Sequence, residues 1–205
     1  EAGVWLVADG MGGHANGRFA SQAVARAVAS IAVPDALVDA CVEIVAAVED
    51  ANAEIHDLAL ESGQRMGTTF VALVLREAEF AVLWAGDSRA YLFRDGALHP
   101  LTSDHSQVQT LIDSGLLTPD EAAAHPMRHV LTRAVGAEEE IEIDAIRGLA
   151  QPNDIFLLCS DGLHGLMPED QIAGHLARSG VRACEDLVAQ CLALGAPDNV
   201  TVTLV

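Results

Sequence analysis

Four aspartates stand where an apolar run meets a turn. Asp9 lies in Val7-Ala8-Asp9-Gly10-Met11-Gly12-Gly13-His14, and Asp87 in Trp84-Ala85-Gly86-Asp87-Ser88-Arg89. Asp161 lies in Leu158-Cys159-Ser160-Asp161-Gly162, and Asp198 in Pro197-Asp198-Asn199. A carboxylate at the mouth of a buried strand is costly to desolvate unless something compensates it. Taken singly, Asp9-Gly10 reads as a turn and Asp161-Gly162 as a turn or the cap of a helical turn. Pro197-Asp198-Asn199 is an ordinary turn composition, and Asp87 could pair structurally with Arg89. Recurrence of one context along nearly the whole chain overturns these separate readings and points to convergence on a shared cationic ligand. Hard oxygen donors without a matching His or Cys cluster favour magnesium or manganese. Two such ions roughly 3.5–4 Å apart can ready a bridging water and stabilise both oxygens of an in-line displacement. Metal-assisted hydrolysis of a phosphate ester is therefore the leading expectation, and it needs no Ser or Cys nucleophile. Gly10 adds a backbone carbonyl with no side chain in the way.

The elements that must position these residues fit in one domain spanning 1–205. The chain has 205 residues and is 51% hydrophobic, which suits a single sizeable core rather than disorder. Its net charge is −19, and all eleven basic residues are arginine. Such a surface repels nucleic acid and anionic lipid, so neither is an expected partner. An anionic substrate is still allowed, because bound divalent cations reverse the local potential. No apolar run approaches the roughly 18 residues of a spanning helix. Cys184 and Cys191, seven residues apart on one expected helix, are too far apart for a disulfide. No C-x-x-C pair suggests zinc, so a reduced, cytoplasmic compartment and a monomer are expected.

Val4 to Ala8 reads as a buried strand, and Gly10 to Gly17 as a glycine-rich turn. Apolar spacing predicts a helix from Arg18 to Ile31 and a second opened by Pro34 and running to about residue 61. Thr68 to Leu75, Glu79 to Ala85 and Arg89 to Arg94 read as strands with short antiparallel links. Asp95-Gly96 signals a hairpin. Asp104 can cap a helix over His105 to Ser114, and Thr118-Pro119-Asp120-Glu121 opens a short one. Ile141 to Arg147 and Asp154 to Ser160 read as strands. Pro168 to Arg178 and Val181 to Leu194 read as helices, and Val200 to Val205 as a closing strand. The class is α+β: a central β-sandwich of two antiparallel sheets flanked by antiparallel helix pairs, a four-layer αββα arrangement.

Segments VADGMGGH (7–14), MGTTFVALVL (66–75), WAGDSRAYLFRDG (84–96), the run 101–126, LTRAVG (131–136), LLCSDGL (157–163) and PDNVTV (197–202) occur in one order and cover nearly the whole chain. In this the sequence resembles the metal-dependent protein phosphatases of the protein phosphatase 2C-like (PPM) family, in particular the compact bacterial serine/threonine phosphatases. The resemblance implies the sandwich inferred above and two core Mn2+ or Mg2+ ions. Asp9, Asp161 and Asp198 match the carboxylate positions, and Gly10 the carbonyl ligand. Asp87 matches the residue that, with Asp161, holds a third ion in bacterial members. Residues 114–133 match a mobile flap beside the active site. The implied activity is hydrolysis of phosphoserine and phosphothreonine in proteins through a metal-bridging water. The implied partners are phosphoprotein substrates and a bacterial serine/threonine kinase that the enzyme opposes.

Two departures from the family pattern stand out. The family begins with a further strand segment carrying a phosphate-binding arginine and a supporting acidic residue. This chain starts after both, so an N-terminally incomplete sandwich with an unprotected edge and reduced turnover is expected. Many eukaryotic members also carry a histidine, a proposed general acid, where this chain has Met11. His14 is the nearest substitute, as a proton donor or substrate contact, unless it only caps the glycine turn. His105, His125 and His129 lie in the flap-like segment and could tune substrate access, but read better as exposed polar residues. His56, His99, His164 and His175 read as structural, and Trp5 and Trp84 as core. A catalytically poor member that binds phosphoprotein partners is the alternative function. A two-metal nuclease is disfavoured by the absence of a basic groove.

Overall fold

The computed structural model describes residues 3–205. The first half contains strands β1 Gly3–Val7 and β2 Gly10–Met11, helices α1 His14–Ser30 and α2 Leu37–Ser62, then strands β3 Gly67–Thr68, β4 Phe70–Arg76, β5 Glu79–Ala85, β6 Arg89–Arg94 and β7 Ala97–Pro100. The second half contains helices α3 Gln107–Asp113 and α4 Pro119–Ala123, strands β8 Asp144–Leu149 and β9 Ile155–Cys159, helices α5 Asp161–His164, α6 Glu169–Ser179 and α7 Ala183–Ala193, and strand β10 Val202–Leu204. One antiparallel sheet runs β1-β4-β5-β8 and the other β10-β9-β6-β7. A two-stranded ladder, β2-β3, sits apart from both.

Strict alternation along the strands builds the layers, because successive side chains point to opposite faces. In β4, Val71, Leu73 and Leu75 meet Ala90, Leu92, Phe156 and Leu158 of the other sheet. Phe70, Ala72 and Val74 point the other way, onto Ala20, Val24, Ile44 and Val48 of α1 and α2. Tyr91, Phe93, Leu157 and Cys159 leave the far face of the second sheet and pack on Ile172, Leu176 and Leu187 of α6 and α7. Phe80 and Phe156 meet edge to face between the sheets, with ring centroids 4.9 Å apart. The expected αββα layering is thus observed, with one helix pair on each outer face.

Several boundaries differ from expectation, each for a local reason. Gly12 and Gly13 take positive φ, so the turn ends early and α1 starts at His14 rather than Arg18. The Asp95-Gly96 turn has positive φ at both residues, as a tight hairpin with the twist of its strands requires. Asp104 does not cap α3; Ser106 does, accepting from the Gln109 amide. Asp104 instead takes a bidentate pair from Arg89, with Nε–Oδ1 2.7 Å and Nη2–Oδ2 2.8 Å. Arg89 is therefore not the partner of Asp87. Trp84 is core, whereas Trp5 is only partly buried against the inter-sheet cluster. All four cysteines are free thiols.

Strand β8 begins at Asp144, later than the expected Ile141, because residues 137–142 swing out to line a cleft. Asn52 of α2 holds that excursion. Its side-chain nitrogen donates to the carbonyls of Glu138 at 3.1 Å and Glu139 at 3.0 Å, and its oxygen accepts from the Gly136 amide at 2.6 Å. Replacing Asn52 with Leu would leave the buried Gly136 amide, and the more exposed Glu138 and Glu139 carbonyls, without this partner. We expect a loss of about 1–3 kcal/mol for the least accommodated of them, read as a lower urea midpoint at constant m-value.

Candidate active site

Two Asp-Gly pairs create the site by letting backbones touch. A Cβ on Gly10 would lie 1.9 Å from the Gly17 carbonyl oxygen, so α1 can start directly against β2 only with glycine there. A Cβ on Gly162 would lie 2.1 Å from the Asn199 oxygen, so the α5 turn and the Asp198 turn can meet only with glycine there. Asp9 follows β1, Asp161 follows β9, and Asp198 precedes β10. Asp87 sits in the β5–β6 turn.

These four aspartates and Gly10 all line one open cleft of about 880 Å³. Burial comes first in raising the Asp9 carboxyl to about 6, followed by the charges of Asp161 and Asp198. Burial also pushes Asp87 to about 7, with Asp161 and Asp104 adding to it. Asp161 is raised by burial and then by Asp198. Asp198 itself is exposed at the rim, where its Oδ1 accepts from the Asn199 amide at 2.8 Å. The acids are therefore close enough to oppose one another's ionisation, which is the arrangement a bound cation relieves.

The donor set fits divalent ions. Asp161 Oδ1 is buried and has no hydrogen-bond partner, an acceptor otherwise unaccounted for. Among the described residues, no three His, Cys, Asp or Glu side chains converge as a cage for one ion. That suits ions that keep several waters and share a few carboxylates, as magnesium does, rather than an all-protein cage.

The expected site histidine is placed differently. His14 is exposed on the first turn of α1 and does not line the cleft. His129 does, with Nδ1 3.9 Å from Asp161 Oδ2. Arg133 is the one arginine on the cleft wall. It donates to Asp144 Oδ1 at 2.6 Å and Glu142 Oε2 at 3.0 Å. His105 is not an exposed polar residue as expected. Its ring is parallel to Trp84 at 6.0 Å, and its Nδ1 accepts from the Gly86 amide at 3.1 Å. Nε2 must then carry the proton, and it faces Asp144 Oδ2 at 3.4 Å. His164, expected to be structural, donates from Nε2 to the Asp87 carbonyl at 2.9 Å. Burial and then the Arg89 charge push it down to about 4. Arg133 lay within the matched LTRAVG segment without being singled out, and His129 was marked only by its place in the flap-like segment, whereas nothing local marked His164.

A pH dependence follows. Groups whose carboxyl pKa is raised on folding bind more protons folded than unfolded, so they lower stability as pH rises through that range. His164 works the other way, but only from about 4 to its unfolded 6.5. Above pH 6.5 the carboxyls act alone, chiefly Asp87 at about 7. Metal-free protein should therefore lose thermal stability between pH 6.5 and about 8. Asp87→Asn should flatten that slope in melts recorded with chelator present.

Comparison with known proteins places this geometry. A family model described as protein phosphatase 2C matches residues 1–193. The chain is 38% identical over 201 residues to the serine/threonine protein phosphatase PstP of Mycobacterium tuberculosis, covering 97% of this chain but 39% of that protein. It is 33% identical over 208 residues to the serine/threonine phosphatase stp of Listeria monocytogenes, covering 98% of this chain and 82% of that one. A crystal structure of the PstP catalytic domain in complex with two manganese ions superposes with a TM-score of 0.87 at 36% identity, covering 98% and 86% of the two chains. With its layers, its strand order and its acid-lined cleft between the sheets, the chain belongs to the protein phosphatase 2C family.

Proposed function

We propose that the chain hydrolyses phosphoserine and phosphothreonine in proteins with the help of Mn2+ or Mg2+, and that its substrates are phosphoproteins made by a serine/threonine kinase. The observation that carries this reading is the convergence of Asp9, Gly10, Asp87, Asp161 and Asp198 on one cleft. Asp9, Asp161, Asp198 and the Gly10 carbonyl would hold two core ions, and Asp87 with Asp161 a third. When bound, these ions neutralise charge on the phosphoryl oxygens and lower the pKa of water.

The remaining groups divide the other work. Among the described residues no serine or cysteine lines the cleft, which supports attack by water rather than by a side chain. Arg133 is the arginine among the cleft-lining residues, paired with Asp144 and Glu142, and is the side chain suited to contact a phosphoryl oxygen. His129, on the C-terminal part of the 114–133 flap, lines the cleft 3.9 Å from Asp161 and so takes the proton-donor role that His14, outside the cleft, does not fit. The flap's own order comes from the Thr118 capping box on α4 and from the Gln107 amide, which donates to the Val130 carbonyl at 2.9 Å. No helix among the described residues is long and apolar enough to cross a membrane.

On a phosphothreonine peptide with added manganese, Asp161→Asn and Asp198→Asn should each lower kcat/KM by about 100-fold or more, a loss of roughly 2.7 kcal/mol of transition-state stabilisation. Circular dichroism should show both variants folded. Chelation should abolish wild-type turnover, and manganese should restore it. Wild-type rates in either variant would reject the proposal.

A further inference from the structure

Mutually repelling carboxylates spread apart unless their backbones are held. The four acidic turns of the cleft come from four different connections, and the bonds that join them are made by uncharged groups beneath. The Asp9 amide donates to Thr69 Oγ1 at 2.9 Å, and the Thr69 amide returns a bond to the Asp9 carbonyl at 2.8 Å. Thr69 Oγ1 shares a hydrogen bond of 2.7 Å with Ser88 Oγ, on the residue next to Asp87. The Asp87 carbonyl accepts from His164 Nε2 at 2.9 Å, and His164 ends the one-turn helix that Asp161 begins. Ser160, just before Asp161, accepts at Oγ from the Thr201 amide at 3.1 Å and donates to the Asn199 carbonyl at 3.4 Å. Thr69, Ser88 and Ser160 are exposed by no more than 3%.

We propose that this relay of buried neutral hydrogen bonds is a positioning clamp for the four acidic turns, and that His164 is the link that registers Asp87 against Asp161. The proposal rests on the reading that these carboxylates hold divalent ions. The links that join the turns are hydroxyls, amides, carbonyls and an imidazole, so the clamp fixes spacing without adding charge to the site. His164 suits its place because a carbonyl can only accept, so the ring must present Nε2–H to Asp87. Its bond also crosses 77 residues of chain, from the β5–β6 turn to α5. Among the described residues no other side chain donates to that carbonyl, so loss of the ring would remove the direct tie between the Asp87 turn and α5, leaving that turn held only from its Ser88 and Gly86 sides and Asp9 and Asp198 held by Thr69 and Ser160.

The test is calorimetric titration of the chain with Mn2+ alone, at one pH, alongside thermal melts of the metal-free proteins. Wild type should show a tighter and a weaker class of site, and Asp87→Asn should remove the weaker class. His164→Leu should weaken that class by about 10–100-fold with the tighter class unchanged, the scale expected when a group that orients a ligand is lost. His164→Gln places an amide N–H near the Nε2 position and should restore it. Thr69→Val, which loosens the same turn from its other side, should weaken the class too, and it serves if His164→Leu does not fold. A merely structural His164 would lower the melting temperature without a selective change in the weaker class. Retention of that class in folded His164→Leu or in Thr69→Val, with loss in Asp87→Asn, would overturn the clamp and leave the metal reading intact. An unchanged isotherm in Asp87→Asn would overturn the clamp together with the third-ion assignment, and absence of Mn2+ binding in the wild type would overturn the metal reading itself.

Discussion

Asp9, Asp87, Asp161 and Asp198 repel one another across a cleft from which water is partly excluded, and the rest of the molecule is arranged to keep them there. Left to themselves, such groups separate or take up protons, and the raised carboxyls of Asp9 and Asp87 record the second response. Separation is prevented by the backbone. Gly10 lies against Gly17, Gly162 lies against Asn199, and in both places a methyl group would collide with main chain. The acids sit at the ends of strands, so their spacing is inherited from two packed sheets rather than from flexible loops.

The sandwich makes that inheritance stiff. Each central strand is buried on both faces, one toward the opposite sheet and one toward a helix pair. A strand in such a place cannot slip by one residue without reversing both faces, so its register is strongly specified. The ends of β5 and β9 are fixed accordingly, and with them Asp87 and Asp161, while β1, a partly buried edge strand, takes its register from its ladder with β4 and so places Asp9. Only Asp198, exposed before the short β10, depends on a turn more than on a layer.

Polar groups set the second wall of the cleft. Asn52 holds the 136–139 turn, His105 joins the Gly86 amide to Asp144, and Asp144 takes the guanidinium of Arg133. Arg133 is therefore tied to the same β5–β6 turn that carries Asp87. It is neutralised by Asp144 and Glu142, and Glu138 and Glu140 line the cleft beside it, so the site stays strongly acidic.

Much of this was legible in the residues. Alternation in 70–76 and 79–85, the Asp95-Gly96 turn and the helical stripes after residue 18 follow from periods of two and 3.6, which are properties of neighbouring positions. Asp9-Gly10 and Asp161-Gly162 were visible as carboxylates beside glycines for the same reason. What tertiary structure decided was pairing across distance. Arg89 chose Asp104 over Asp87, Ser106 took the cap from Asp104, and His129 rather than His14 came to the cleft. His164 reached the carbonyl of a residue 77 positions away. Each of these outcomes depends on which surfaces the packed sheets bring face to face. Local propensity carries no information on that point, because a side chain's partner is selected by three-dimensional proximity and by the cost of leaving a buried polar group unpaired.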